Sequence, residues 1–258
     1  MPAKIETREI SGVNTLCIND HPFESHEILD KFQSGANGHV FLAKNKLLRR
    51  KEAIKVWFKI RDSDTRDKLE QGLAEAQKLA AVRGENSVEI YSVQIFHGTP
   101  VATMEYVPGP TLKEYKDLCK DNYDLIKLAF LYLEAIENTT TVDTVHGDPH
   151  LSNVLVETYQ PDKHEKELKL KLCDFGTSIF NEKEFSDERH WRIVEESVVE
   201  LTRGLEGFDD AKNELDRIKK IQIETAISNY SKSFTGKQFA QIKNAPLRDY
   251  LRCFESDI

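Results

Sequence analysis

Apolar and polar positions along the first part of the chain follow the pattern of β-strands. HEILDKF and HVFLAKN flank a glycine-bearing turn at residues 33–38, which predicts a β-hairpin. EAIKVWFKI, residues 52–60, is rich in β-branched and aromatic residues and predicts the next strand. Two later segments and one earlier, shorter segment predict further strands: SVEIYSVQIF, TPVATMEYV and TLCI.

A single helix interrupts these strands. Leu69, Leu73, Ala76 and Ala80 recur at helical spacing, and Gly84 is placed to end the helix.

The pattern changes at VPGP, residues 107–110, where we expect a hinge between two lobes. One face of a helix follows, formed by Leu125, Leu128, Ala129, Tyr132, Leu133 and Ile136. NVLVE and LKLKLCDF then predict two strands, and the chain is mostly helical from about Glu188. The predicted fold class is therefore α+β, with an N-terminal extension at 1–27, a β-rich lobe at 28–106 and a mostly helical lobe at 107–258.

Composition and charge narrow the class of protein. The chain has 258 residues, a net charge of −8 and four scattered cysteines without a C-x-x-C pair. This balance argues against nucleic-acid binding, and the cysteine spacing fits a reducing compartment. There is no run of about 20 apolar residues that would cross a membrane and no apolar signal-peptide core, so we expect a cytoplasmic protein. One basic strip, KNKLLRRK at 44–51, is either a solvated turn or a surface for a partner or phosphate.

The segment HGDPHLSNVLV, residues 146–156, carries the most specific chemistry. Asp148 and Asn153 are five positions apart, and Pro149 disfavours a helix interior, so both predict a loop that leads into a strand. In CDFG, Asp174 stands at the end of another strand, twenty-one positions after Asn153. Carboxylate and amide oxygens are ligands that Mg²⁺ prefers.

Two further pieces come from the strand-rich part. The turn Gly35-Ala36-Asn37-Gly38 either cradles a polyanion with its backbone or is a plain hairpin turn. Lys55, in the apolar strand AIKV, either is buried with a counter-charge from Glu75 or points outward to solvent.

These pieces, in this order, resemble the protein-kinase-like superfamily over roughly residues 28–207. SGANGHVFLA resembles its glycine-rich loop, AIKV its strand lysine, MEYVPGPTL its hinge, HGDPHLSNVLV its catalytic loop and CDFGTS its D-F-G motif. The resemblance implies a bilobal kinase-like fold with an abbreviated helical lobe, and ATP and Mg²⁺ as ligands.

The resemblance also implies a role for each matching residue. Asp148 would take the acceptor proton, Asn153 and Asp174 would hold Mg²⁺, and Lys55, braced by Glu75, would contact the ATP phosphates. His146, Phe175 and Leu79 would pack as an internal support. The remaining nucleotide-binding positions would be Gly35, Ala36, Asn37, Gly38, Val40, Ala53, Met104, Glu105, Val107 and Leu155.

Three departures from the family pattern bear on function. Gln33 replaces the first glycine of the phosphate loop. His150 stands where many protein kinases have a lysine, and H-G-D with this histidine resembles aminoglycoside phosphotransferases. His150 is either a γ-phosphate ligand or structural. The segment after Gly176 lacks an A-P-E-like element, so we expect a short activation segment and a constitutively assembled site.

Three functions remain open at this point. The first is an ATP- and Mg²⁺-dependent kinase acting on a protein serine or threonine, and the second is a phosphotransferase acting on a small hydroxyl-bearing molecule, such as an aminoglycoside, a sugar or an amino alcohol. The third is a nucleotide-binding pseudokinase scaffold, which the presence of all five catalytic residues disfavours.

Overall fold

The structure is a computed structural model that describes residues 3–32, 38–57, 73, 76–77, 79–82, 84–119, 121–141, 145–162, 165–175, 183–226 and 236–254. The chain forms two compact units. The first comprises Met1–Arg83, Val88–Val107 and Phe175–Ile179, and the second comprises Gly84–Ser87, Pro108–Asp174 and Phe180–Ile258.

The first unit begins with a three-stranded antiparallel sheet. Its strands are β1 (Ile5–Ile10), β2 (Val13–Ile18) and β3 (His21–Pro22). Ser11 and Gly12, and then Asn19 and Asp20, all have positive φ, as two-residue type I′ hairpin turns require. The sequence predicted only the short strand TLCI within β2.

A five-stranded antiparallel sheet follows, in the order β4-β5-β6-β8-β7. Its strands are β4 (His26–Lys31), β5 (Gly38–Asn45), β6 (Lys51–Trp57), β7 (Ile90–Phe96) and β8 (Thr99–Glu105). The β4–β5 hairpin and the other three strands are confirmed. The basic strip 44–51 joins β5 to β6 as a turn, and its Arg50 lies 3.8 Å from the ring centroid of Tyr91.

The two faces of this larger sheet differ. Phe41, Ile54, Val56 and Val101 point to one face and form a buried cluster with Ile28 of β4 and with three residues of the N-terminal segment: Leu16, Ile18 and Phe23. The first 27 residues therefore complete the hydrophobic core of the first unit.

The predicted helix of the first unit is only partly described. The described residues between 73 and 81 are helical, with Ala76 and Leu79 buried. Glu75 lies outside the described residues.

The second unit contains five described α-helices, a short 3-10 helix at Leu151–Asn153 and one strand pair. The helices are α1 (Leu112–Lys116), α2 (Asn122–Thr139), α3 (Lys183–Thr202), α4 (Phe208–Ala226) and α5 (Gly236–Arg252). The antiparallel strands β9 (Val154–Asp162) and β10 (Glu165–Leu172) form a hairpin. In the described part of the chain, no helix is both long and apolar enough to cross a bilayer.

Helix α2 is the core helix of this unit. The predicted apolar face is buried from Leu128 to Ile136, whereas Leu125 is half-buried and Ile126 takes the buried position beside it. Helix α5 packs on α2 through a polar contact: Glu137 accepts hydrogen bonds from Asn244 at 3.2 Å and from Arg248 at 2.9 Å. Pairing satisfies a carboxylate that would otherwise be costly to bury.

Residues 109–111 of the second unit pack against the β9–β10 hairpin. The backbone N–H of Val156 donates to the carbonyl of Pro110 at 2.9 Å, and Thr111 forms a β-bridge with Leu155. Thr111 and Glu114 then form a capping box that begins α1. Gly109 lies so close to this hairpin that a Cβ would collide with the carbonyl oxygen of Val156.

We expect Gly109→Ala to lower the free energy of unfolding by about 1–3 kcal/mol, because one of two hydrogen-bonded backbones would have to move. Gly84→Ala is the matched control, since a Cβ there meets nothing within 4 Å. Chemical denaturation of both variants measures the difference. Equal stability of the two would contradict the close approach at Gly109.

Candidate active site

The loop that contains Asp148 is organised by a buried histidine. His146 donates through Nε2 to the carbonyl of Cys173 at 2.8 Å, and its Nδ1 accepts the backbone N–H of Asp148 at 3.3 Å. Both contacts are satisfied only by the neutral ring with its proton on Nε2. Burial lowers the pKa of His146 to about 4, which keeps the ring in this form at neutral pH.

Two helices hold the same loop from other sides. The backbone N–H of Gly147 donates to Nδ1 of His190 on α3 at 3.3 Å. The hydroxyl of Tyr132 on α2 donates to the carbonyl of Pro149 at 2.6 Å, and burial raises the pKa of this hydroxyl. The backbone on both sides of Asp148 is therefore fixed by buried partners.

Strand pairing brings Asn153 and Asp174 to the same end of the β9–β10 hairpin. Val154 pairs with Leu172, and the backbone N–H of Cys173 donates to the carbonyl of Asn153 at 2.9 Å. Asp174 is the next residue and has a φ of 64°, a left-handed conformation that is uncommon outside glycine. Such backbone is typical of functional positions.

The side chain of Asn153 is oriented by the loop itself. Its Nδ2 donates to the carbonyl of Asp148 at 3.0 Å, so the amide oxygen is the atom it presents to a ligand. This oxygen and the Asp174 carboxylate are hard donors of the kind that Mg²⁺ binds together with water and phosphate oxygens.

The carboxylate of Asp148 has two cationic or polar neighbours. Its Oδ1 lies 3.2 Å from Nη2 of Arg189, and its Oδ2 lies 3.7 Å from Nε2 of His150, beyond hydrogen-bond range. Arg189 was not predicted from the sequence. Only the nearness of α3 to the loop marks it, and that nearness depends on where the helix begins, at Lys183.

Four of the residues predicted to bind the nucleotide lie on one face of the larger sheet of the first unit. Val40 pairs with Lys55 across β5 and β6, and Ala53 pairs with Met104 across β6 and β8. Directly opposed residues of antiparallel strands point to the same face, as do residues two apart on one strand. This face is opposite to the one that packs on the N-terminal segment.

Lys55 is buried, with 6% of its surface exposed. Its Nζ lies 5.2 Å from the ring centroid of Trp57. The alternative of an outward-pointing lysine is therefore wrong.

The remaining predicted residues have mixed outcomes. Gly35, Ala36, Asn37 and Glu75 lie outside the described residues, so the phosphate-cradling turn and the Lys55–Glu75 pair stay predictions. The other positions are described: Gly38 begins β5, Glu105 is half-buried, Val107 is buried, and Leu155 is half-buried on β9 of the second unit. His146, Phe175 and Leu79 are each buried, and their packing as an internal support stays a prediction.

The two buried histidines predict loss of stability in acid. Burial lowers the pKa of His146 to about 4 and that of His190 to about 3, whereas an unfolded histidine titrates near 6.5. Between pH 6.5 and 4 the unfolded chain binds more protons, so the free energy of unfolding should fall as the pH falls, by up to about 1.4 kcal/mol per pH unit for each ring.

Chemical denaturation from pH 7.5 to 4.5 measures how the free energy of unfolding depends on pH. His190→Gln should reduce this slope by up to about 1.4 kcal/mol per pH unit, the contribution of one bound proton. Ser197→Ala, a buried change on the same helix that removes no titrating ring, should leave the slope intact. An unchanged slope in His190→Gln would contradict the neutral buried ring.

Comparison with known proteins found a similar fold and a matching family. The kinase domain of Mycobacterium tuberculosis PknI is 17% identical, with a TM-score of 0.59 over 87% of this chain and 97% of that one. A double mutant of the same domain is 16% identical, with a TM-score of 0.60 over 87% and 96%. At this identity the likeness shows the fold, which confirms the predicted bilobal kinase fold class. The sequence itself matches the family described as the protein kinase domain over residues 26–196. This match covers more than half of the chain, and the protein belongs to the protein kinase domain family.

Proposed function

We propose that this protein is an ATP- and Mg²⁺-dependent kinase that phosphorylates serine or threonine hydroxyls of proteins. The observation that carries the proposal is the arrangement in the second unit, where one set of hydrogen bonds links His146, Asp148, Asn153 and Cys173. Asp174 follows Cys173 directly in the chain. This is the donor set that phosphoryl transfer uses.

Asp148 orients the acceptor hydroxyl and takes its proton. As the acceptor oxygen forms its bond to the γ-phosphorus, the bond from that phosphorus to the β,γ-bridging oxygen breaks and ADP leaves. Asn153 and Asp174 hold Mg²⁺ through oxygen atoms. When bound, the ion offsets negative charge on the phosphates.

Residues of the first unit bind the nucleotide. Lys55 contacts the α- and β-phosphates, which accounts for a lysine in an otherwise apolar strand. Val40, Ala53 and Met104, on the same sheet face, supply apolar contact to the adenine. Backbone groups of Glu105 and Val107 meet the adenine edge, and residues 35–38 cover the phosphates.

A small hydroxyl-bearing acceptor is the second candidate. His150 within HGDPH favours it, and α3 begins only nine positions after Asp174, which leaves little chain for a peptide-binding segment. A cytoplasmic location accords with either acceptor. The four cysteines are scattered along the sequence without a C-x-x-C pair, a spacing that fits a reducing compartment.

We expect the purified protein to transfer labelled γ-phosphate from Mg·ATP to protein substrates. Asp148→Asn should lower the rate by about 10²–10⁴, because the shape is kept and the base is lost. Asp210→Ala, an exposed carboxylate change on α4, is the control and should retain the wild-type rate.

Denatured lysate proteins and a panel of aminoglycosides, sugars and amino alcohols serve as parallel acceptors. Label on proteins supports the first candidate, and label only on a small molecule selects the second. Nucleotide binding without transfer by the wild type would overturn both and favour a scaffold.

Lys55 gives an independent test on the first unit. Lys55→Met should lower kcat/KM for ATP by at least about tenfold, since a buried charge contact to phosphate is lost. Lys51→Met is the matched control, on the same strand with an exposed side chain. Equal kcat/KM for the two variants would refute the role of Lys55.

A further inference from the structure

A cavity of about 390 Å³ opens beside Asp148 within the second unit. One wall is the loop that carries Asp148 and His150. The other wall is one face of α3, formed by residues three or four positions apart: Arg189, Arg192, Ile193, Glu196, Ser197 and Glu200. A single helix thus provides most of the surface that an acceptor hydroxyl would meet on its way to Asp148.

The charges on this helix face are ordered along its length. Arg189 and Arg192 stand at the beginning, and Glu196 and Glu200 follow toward the end. With a rise of about 1.5 Å per residue, Glu200 lies roughly 16 Å along the axis from Arg189. Since Arg189 contacts Asp148 at 3.2 Å, the cationic end is the one next to the predicted base.

Both arginines retain capacity for a ligand. A guanidinium has five N–H donors, and the contact of Arg189 with Oδ1 of Asp148 engages only part of that set. Arg192 is 69% exposed and its contact with Glu196 is long, at 3.7 Å, so the pair is worth little in water. Arg189 and Arg192 are neighbours one turn apart, and a single anion can accept from both.

The acidic end is partly neutralised. Glu200 lies 3.7 Å from Lys116, which approaches from α1. Glu196 has Arg192 as its partner.

The ion pair at Asp148 also bears on the acceptor. A carboxylate base repels an acceptor that carries a nearby negative charge, and a guanidinium on that carboxylate offsets the repulsion. A cation next to the acceptor hydroxyl would instead face two arginines at close range.

We propose that this cavity is the acceptor subsite and that Arg189 and Arg192 select hydroxyls with an anionic group beside them, in the first place serines or threonines flanked by aspartate or glutamate. The inference rests on the proposed function and names its substrate class.

The test uses three serine peptides that differ only in the two residues flanking the acceptor, which are aspartate, asparagine or lysine. The wild-type protein should have a kcat/KM about tenfold higher for the aspartate peptide than for the asparagine peptide, and lowest for the lysine peptide. Raising the salt from 50 to 500 mM should shrink the preference, because the pairing is partly exposed.

Arg192→Gln should reduce the aspartate preference severalfold, and Arg192→Glu should invert it in favour of lysine. Arg203→Gln, an exposed arginine just beyond α3, is the control and should keep the wild-type preference. Glycerate and glycerol are a second pair of acceptors, which differ in the carboxylate beside the hydroxyl. Faster transfer to glycerate than to glycerol is the result expected if the acceptor is a small molecule.

The outcomes distinguish the two proposals. Transfer from the wild type with no preference for an acidic acceptor, or with a preference for lysine, overturns this inference and leaves the kinase proposal standing. An aspartate preference that survives Arg192→Glu also overturns it. Absence of transfer to every acceptor overturns both.

Discussion

The described site depends on two hydrogen bonds of the Cys173 backbone. Its N–H donates to the carbonyl of Asn153 and its carbonyl accepts from His146, so the backbone of one residue ties the hairpin to the loop that carries Asp148. His146 meets this requirement only as a neutral ring, which must donate at one nitrogen and accept at the other. Placing that ring in the core, where protonation is unfavourable, makes the geometry of the carboxylate independent of solvent pH over the neutral range.

In the first unit, strand register separates the residues that face the proposed nucleotide from the residues that form the hydrophobic cluster. Odd and even positions of β6 serve different purposes: Ala53 and Lys55 face the proposed nucleotide, while Ile54 and Val56 face the hydrophobic cluster. A shift of the register by one residue would exchange the two sets, moving an ammonium into the core. The strict alternation along AIKV therefore fixes both the packing of the sheet and the side on which a phosphate can be bound.

The sequence predicted those parts that depend on local pattern. A glycine-bearing turn and the content of β-branched and aromatic residues predicted β4 to β8. The order of glycine turn, strand lysine, H-G-D loop and D-F-G indicated the family. Contacts between distant segments were not predictable in this way. Arg189 reaches Asp148 because of the residue at which α3 begins and the orientation of the helix about its axis. Neither property can be predicted from the spacing of residues in RHWR. The strands β1 and β3 were missed for another reason. The positive-φ pairs Ser11-Gly12 and Asn19-Asp20 are turn signals, but β1 is rich in charged residues and β3 has only two residues.

The N-terminal strands have a consequence for the limits of the folding unit. Homology to the kinase domain begins at residue 26, yet Leu16, Ile18 and Phe23 are almost completely buried against Phe41 and Ile54. A fragment trimmed to the region of family similarity would present that cluster to water as a flat apolar surface, the kind that drives aggregation. The shortest stable fragment is set by side-chain burial and must retain the leading sheet.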